Sequence, residues 1–142
     1  MYSFVFITHG DLGNTLLNTA SQIMDIDVSK RTKFFSIEFS MSSELDEIKA
    51  NLENTIDDFL KKGNKVLILV DLFGGSPSNI ALSLAKKDNV DVISGVNLSM
   101  VMYSLEHRDD DTELEVMVDG ITRSARQNIT SAKQLLKNRD KK

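Results

Sequence analysis

The chain has 142 residues, 41% of them hydrophobic, which makes one domain with room for a real core. Its net charge of −4 argues against a nucleic-acid partner, which would need a basic face, and its zero cysteines exclude a disulfide framework and thiolate chemistry. The opening "MYSFVFITHG" has no basic leader or cleavage site, and the longest apolar run, "VLILV" at 66–70, is far too short to cross a bilayer. A soluble cytoplasmic domain is the expectation.

Strand-like and helical runs alternate along the chain. "SFVFIT" (3–8) is continuously apolar, as a strand covered on both faces would be. Leu12, Leu16, Leu17, Ala20, Ile23 and Met24 then recur at helical spacing. "KFFSIEF" (33–39) reads as a second strand. Ser43 with Asp46 signals a helix start, and Leu45, Ile48, Leu52, Ile56, Phe59 and Leu60 share one face before the Gly63 stop. "KVLILVD" (65–71) is the clearest strand, and a helix over 77–87 follows. "VDVISGV" (90–96) is the fourth strand, followed by a helix over 98–107 and a solvated turn at "RDDD" (108–111). Thr112 with Glu115 caps one last helix carrying Leu114, Met117, Val118, Ile121, Ala125, Ile129, Ala132 and Leu136. With no linker or repeat, residues 1–137 are expected to form a single domain that stands alone, with 138–142 a frayed polar tail.

Such alternation predicts an α/β fold: a doubly wound, mainly parallel four-stranded sheet of order 2-1-3-4 with helices on both faces. Ligands of such sheets sit beyond the carboxyl ends of the strands, where the winding reverses. His9 ends the first strand and Asp71 the third, so the two face each other across that crevice. A carboxylate at Nδ1 fixes the imidazole tautomer and leaves the Nε2 lone pair outward.

"DLFGGSPSN" (71–79) supplies the rest. Gly74 and Gly75 permit close approach or positive φ, and Ser76–Pro77 reads as an N-cap followed by the first helical residue. The turn therefore offers N–H groups to an anion, and a second helix start follows His9 at Gly10–Asn14. There is no G-x-S-x-G elbow to receive base catalysis, and no motif that completes a metal site. What remains is nucleophilic attack by the histidine itself, with a phosphoryl group as the candidate anion. No metal or other cofactor is expected.

"FITHG" with "VDLFGGSPSN", together with "GVN" at 95–97 and "RDDD" at 108–111, resembles the IIA component of the mannose-type (mannose/fructose/sorbose) sugar phosphotransferase system. The likeness covers nearly the whole chain in the same element order. It implies a phosphohistidine at His9, oriented by Asp71, with Ser76 close to the phosphoryl group. It implies HPr as donor, a IIB subunit as acceptor, and the membrane IIC and IID subunits as indirect partners. It also implies a homodimer that exchanges an edge strand. Phe73 stands where some members carry tryptophan.

Two alternatives are the phosphoryl-donor subunit of dihydroxyacetone kinase and a receiver-like signalling domain phosphorylated at Asp71. The receiver's acidic pair after the first strand is replaced here by "THGD". Plainer roles compete for single residues: Ser76 as a cap, His107 as a cation offsetting a helix dipole, Met100 and Met102 as packing.

Overall fold

The computed structural model describes residues 1–27, 34–39 and 44–140. Four strands, β1 (Tyr2–His9), β2 (Phe34–Phe39), β3 (Lys65–Val70) and β4 (Val90–Ile93), form one parallel sheet of order β2-β1-β3-β4. The order is the expected one. β1 is central, with Phe4 between Phe34 and Leu67 and Ile7 between Ile37 and Val70.

The period-two alternation of the strands divides the core in two. Tyr2, Phe4, Phe6, Leu67, Leu69 and Ile93 face one side, where α1 (Leu12–Ile23), α4 (Leu98–His107) and α5 (Leu114–Gln127) pack on them. Val5, Ile7, Val66, Ile68 and Val70 face the other, under α2 (Leu45–Lys61) and α3 (Ser76–Leu84). Burial on both faces is why β1 and β3 read as unbroken apolar runs. Leu17, Ala20, Leu52, Ile56, Met100 and Met117 are among the helix residues that reach these cores.

Several boundaries move. β3 ends at Val70, so Asp71 begins the turn after it. β4 ends at Ile93, and Ser94–Val96 leave the strand while Gly95 N and Val96 N still donate to the carbonyls of Asp71 and Val70. α3 stops at Leu84, three residues early. Lys33 and the expected cap Ser43 lie outside the described residues. Leu12, Ile23 and Leu45 keep the helical spacing but stay exposed at the ends of their helices.

The last helix is corrected to two. α5 ends at Gln127, and α6 (Ala132–Asp140) begins after Ser131, whose Oγ accepts from Gln134 N at 3.1 Å. Ser131 thus caps a new helix inside a pattern that runs on in sequence. The polar tail is helical through Asp140. Thr112 does not cap α5 either: Glu113 holds that position without a side-chain bond, and the Thr112 carbonyl instead accepts from Tyr2 Oη and Lys65 Nζ.

α1 reaches the sheet through Gly13. A methyl carbon there would stand 2.7 Å from Phe6 Cβ and 2.8 Å from Ser36 Oγ, closer than packed atoms allow. Ser36 Oγ can rotate away; Phe6 Cβ is fixed to the central strand. Gly13→Ala should therefore destabilise the fold by about 1–3 kcal/mol. The better helix propensity of alanine, up to ~1 kcal/mol, offsets only part of this. Chemical denaturation checks it, and a variant as stable as the parent would show that α1 can lift off β1 without cost.

Candidate active site

His9 is the last residue of the buried central strand, so its backbone is held by the sheet while its ring emerges with 55% of the side chain exposed. Across the switch point stands Asp71, its side chain only 13% exposed. Asp71 Oδ2 accepts from His9 N and contacts His9 Nδ1, both at 2.8 Å, and Oδ1 accepts from Leu72 N at 2.9 Å. Two oxygens thus serve three N–H groups.

Burial pushes the Asp71 carboxyl up, but the His9 N–H, the His9 ring and the Leu72 N–H together hold it below the usual carboxylate range. An ionised carboxylate at Nδ1 requires the proton on Nδ1, so in the neutral ring Nε2 carries the lone pair. The arrangement presents a nucleophilic nitrogen on a rigid strand.

The glycine turn follows Asp71 in the chain. Gly74 and Gly75 have φ of 113° and 84°, a region side chains strongly disfavour, so the turn is made by glycine alone. Here the expectation is corrected by one residue: Gly75 is the N-cap and Ser76 the first residue of α3, with no side-chain cap bond. The backbone conformation at Gly75, not a hydroxyl, starts the helix. Ser76 is exposed at the helix start, where the leading N–H groups have no intrahelical acceptor.

Gly74 N–H is already used: it donates to Ser78 Oγ at 2.9 Å. Ser78 was not singled out from the sequence; the one signal was a second hydroxyl three residues after the capping glycine. Gly10 has φ of 53° and lets the chain leave β1 for α1, whose start is tied down by Gly13 N donating to Thr8 Oγ1 at 2.9 Å. Asp11 is the N-cap of α1, within the expected helix start at Gly10–Asn14.

The segments following the four strands in sequence, 10–11, 40–44, 71–75 and 94–97, contain no lysine or arginine. Asp11 follows β1 at this end of the sheet and Glu38 is the last residue but one of β2; Glu38 is raised above the usual carboxylate range, first by its hydrogen bond with Asp11, then by the charge of Asp11 and by burial. Among the described residues no three His, Cys, Asp or Glu side chains could together hold a metal ion.

A doubly wound domain presenting a carboxylate-backed histidine at its switch point is the class that fold and site define. Residues 3–122 match the family described as PTS system fructose IIA component, and the chain belongs to that family. His9, Asp71 and the glycine turn fall inside the match; α6 falls outside it.

The chain is 29% identical over 132 residues to the PTS system mannose-specific EIIAB component of Escherichia coli (strain K12), covering 92% of this chain and 39% of that protein. It therefore spans about two fifths of that relative's length. The PTS system fructose-specific EIIA component of Bacillus subtilis (strain 168) is 26% identical over 110 residues, 77% of this chain and 72% of that one. Among solved structures, the PTS IIA protein associated with the fucose utilization operon of Streptococcus pneumoniae superposes with a TM-score of 0.75 at 26% identity, covering 95% of this chain and 96% of that one. The phosphotransferase system component EIIA of Streptococcus agalactiae has the same fold, with a TM-score of 0.79 at 23% identity over 94% and 99% of the two chains. Among the described residues no helix is long and apolar enough to cross a membrane.

Proposed function

We propose that this IIA component is a cytoplasmic phosphocarrier, taking a phosphoryl group from phosphorylated HPr on His9 and passing it to a IIB subunit for coupled sugar uptake and phosphorylation. The membrane IIC and IID subunits are reached only through IIB. The observation that carries this reading is the 2.8 Å contact between His9 Nδ1 and Asp71 Oδ2.

In the forward step the Nε2 lone pair attacks phosphorus in line with the donor N–P bond. The new N–P bond forms as the old one breaks, and its electron pair returns to the donor ring. His9 acquires imidazolium character, which the Asp71 carboxylate offsets. The helix-start N–H groups of Gly75 and Ser76, with the start of α1 after Gly10, offer partial positive charge to the phosphoryl oxygens. Leu72 and Phe73, exposed directly after Asp71 in the chain, give a partner apolar surface to rest on. Transfer to IIB is the same step reversed onto a new acceptor.

A receiver would need Asp71 as nucleophile, yet both of its oxygens are engaged by N–H groups. The decisive experiment is incubation with phosphoenolpyruvate, enzyme I and HPr. The expected product is a phosphoramidate, stable in base and labile in acid. A base-labile acyl phosphate on Asp71 would overturn the carrier reading in favour of the receiver.

We also propose a homodimer. β4 is an open edge of the sheet, and Ile129, Leu135 and Leu136 on and before α6 stay exposed on their own chain. Light scattering at micromolar concentration should give about twice the chain mass; a monomer would rule the dimer out.

A further inference from the structure

We propose that Ser78 is a positioning residue for phosphoryl transfer, through the glycine turn it holds; this rests on the carrier reading above. Ser78 is on the first turn of α3, beneath the loop, and is 1% exposed. Its Oγ accepts from Gly74 N at 2.9 Å and donates to Gly75 O at 3.1 Å. One hydroxyl thus bridges the two residues whose positive φ values shape the turn. The Gly75 carbonyl also accepts from Asn79 N at 3.3 Å, so the first turn of α3 holds it twice.

The bridge decides which N–H groups the turn can offer. With Gly74 N–H drawn back to Ser78, the turn presents Gly75 and Ser76 at the helix start and withholds Gly74. Two consecutive glycines can adopt many conformations; without the bridge the Gly74 N–H is released, and the Gly75 carbonyl is held by Asn79 N alone. The phosphoryl oxygens would then meet donors that must first be ordered, which slows the chemical step more than it weakens donor docking.

The test compares Ser78→Ala with Ser78→Thr, each checked for folding by circular dichroism. Single-turnover transfer from phosphorylated HPr gives the maximal rate and the half-saturating donor concentration, and hydrogen exchange reads the Gly74 amide. Ser78→Ala should lower the maximal rate by about fivefold, a barrier change of ~1 kcal/mol, with little change in half-saturation. Its Gly74 amide should lose protection. Ser78→Thr should retain both the rate, within about twofold, and the protection. An alanine variant at the parental rate overturns the proposal, as does a slow one whose Gly74 amide stays protected or a folded threonine variant as slow as alanine. A parental chain that takes no label from HPr removes the carrier reading, and this role with it.

Discussion

Asp71→Asn should slow transfer from phosphorylated HPr to His9 by at least about tenfold, some 1.4 kcal/mol of barrier. An amide keeps the shape of the carboxylate but has one acceptor oxygen, and three N–H groups depend on this side chain. Turned with its carbonyl toward His9, the amide keeps both histidine contacts and sets its own N–H₂ against Leu72 N–H. Turned the other way it opposes His9 twice, so the first orientation wins. The Nδ1–H tautomer survives; the charge does not. A hydrogen bond to a charged group contributes about 1.5–3 kcal/mol against 0.5–1.5 for a neutral one, which supplies the expected barrier as the ring gains positive character. Ser76→Ala should cost less, because the backbone N–H groups of the helix start remain.

Stability should carry the same signature. The native Asp71 carboxyl is held below its ordinary range, so its contribution is full above the unfolded value of about 3.9 and is lost as pH falls through the lowered native value. The stability gap between parent and Asp71→Asn should therefore narrow on acidification. Denaturation at neutral and strongly acidic pH measures it, and a constant gap would mean the fold does not favour the ionised carboxyl. Transfer at the parental rate by Asp71→Asn, with Ser76→Ala inactive, would overturn the His9–Asp71 pairing as the working unit.

His9→Ala should take no phosphoryl group at all. The chain contains its own control in His107, whose Nδ1 lies 2.7 Å from Asp110 Oδ2 and whose ring stacks on Tyr103 at 4.1 Å between centroids. Its neighbour Arg108 accepts at its carbonyl from Tyr2 N, which places it at the start of β1, the opposite end from His9. Over eight residues of strand that is roughly 25 Å. His107 has the carboxylate but stands at the end of its helix, where the dipole is negative, beside Glu106. Phosphopeptide mapping should find label on His9 in the parent and none on His107 in His9→Ala. Label on His107 would show that a histidine–carboxylate pair suffices and that the glycine turn contributes nothing.

The sheet and its order were legible because parallel strands buried on both faces read as apolar runs, and right-handed crossovers leave few ways to connect them. That same order brings His9 and Asp71 together across 62 positions of sequence. The break at 128–131 was not legible. Apolar spacing continues through Ile129, Ala132 and Leu136, but periodicity counts apolar residues, not the surface that would cover them, and Ile129 and Leu136 stay exposed. The capping role passed from Ser76 to Gly75 because hydroxyl preference is a weaker cue than the φ the turn requires. Ser78 escaped notice because its role depends on a loop bending back over it, which no spacing rule encodes.

The strand-end segments without lysine or arginine set the energy level at which the phosphoryl group would rest. A guanidinium or ammonium beside phosphohistidine would add a charge-assisted hydrogen bond of about 1.5–3 kcal/mol. It would make onward transfer some ten- to a hundredfold less favourable at equilibrium. On the carrier reading, helix-start N–H groups in place of such a cation would leave the phosphorylated state closer in energy to a histidine donor of the same kind. Occupancy of His9 would then follow the ratio of phosphorylated donor to empty acceptor in either direction. The site would behave as a gauge of supply and demand, not a reservoir.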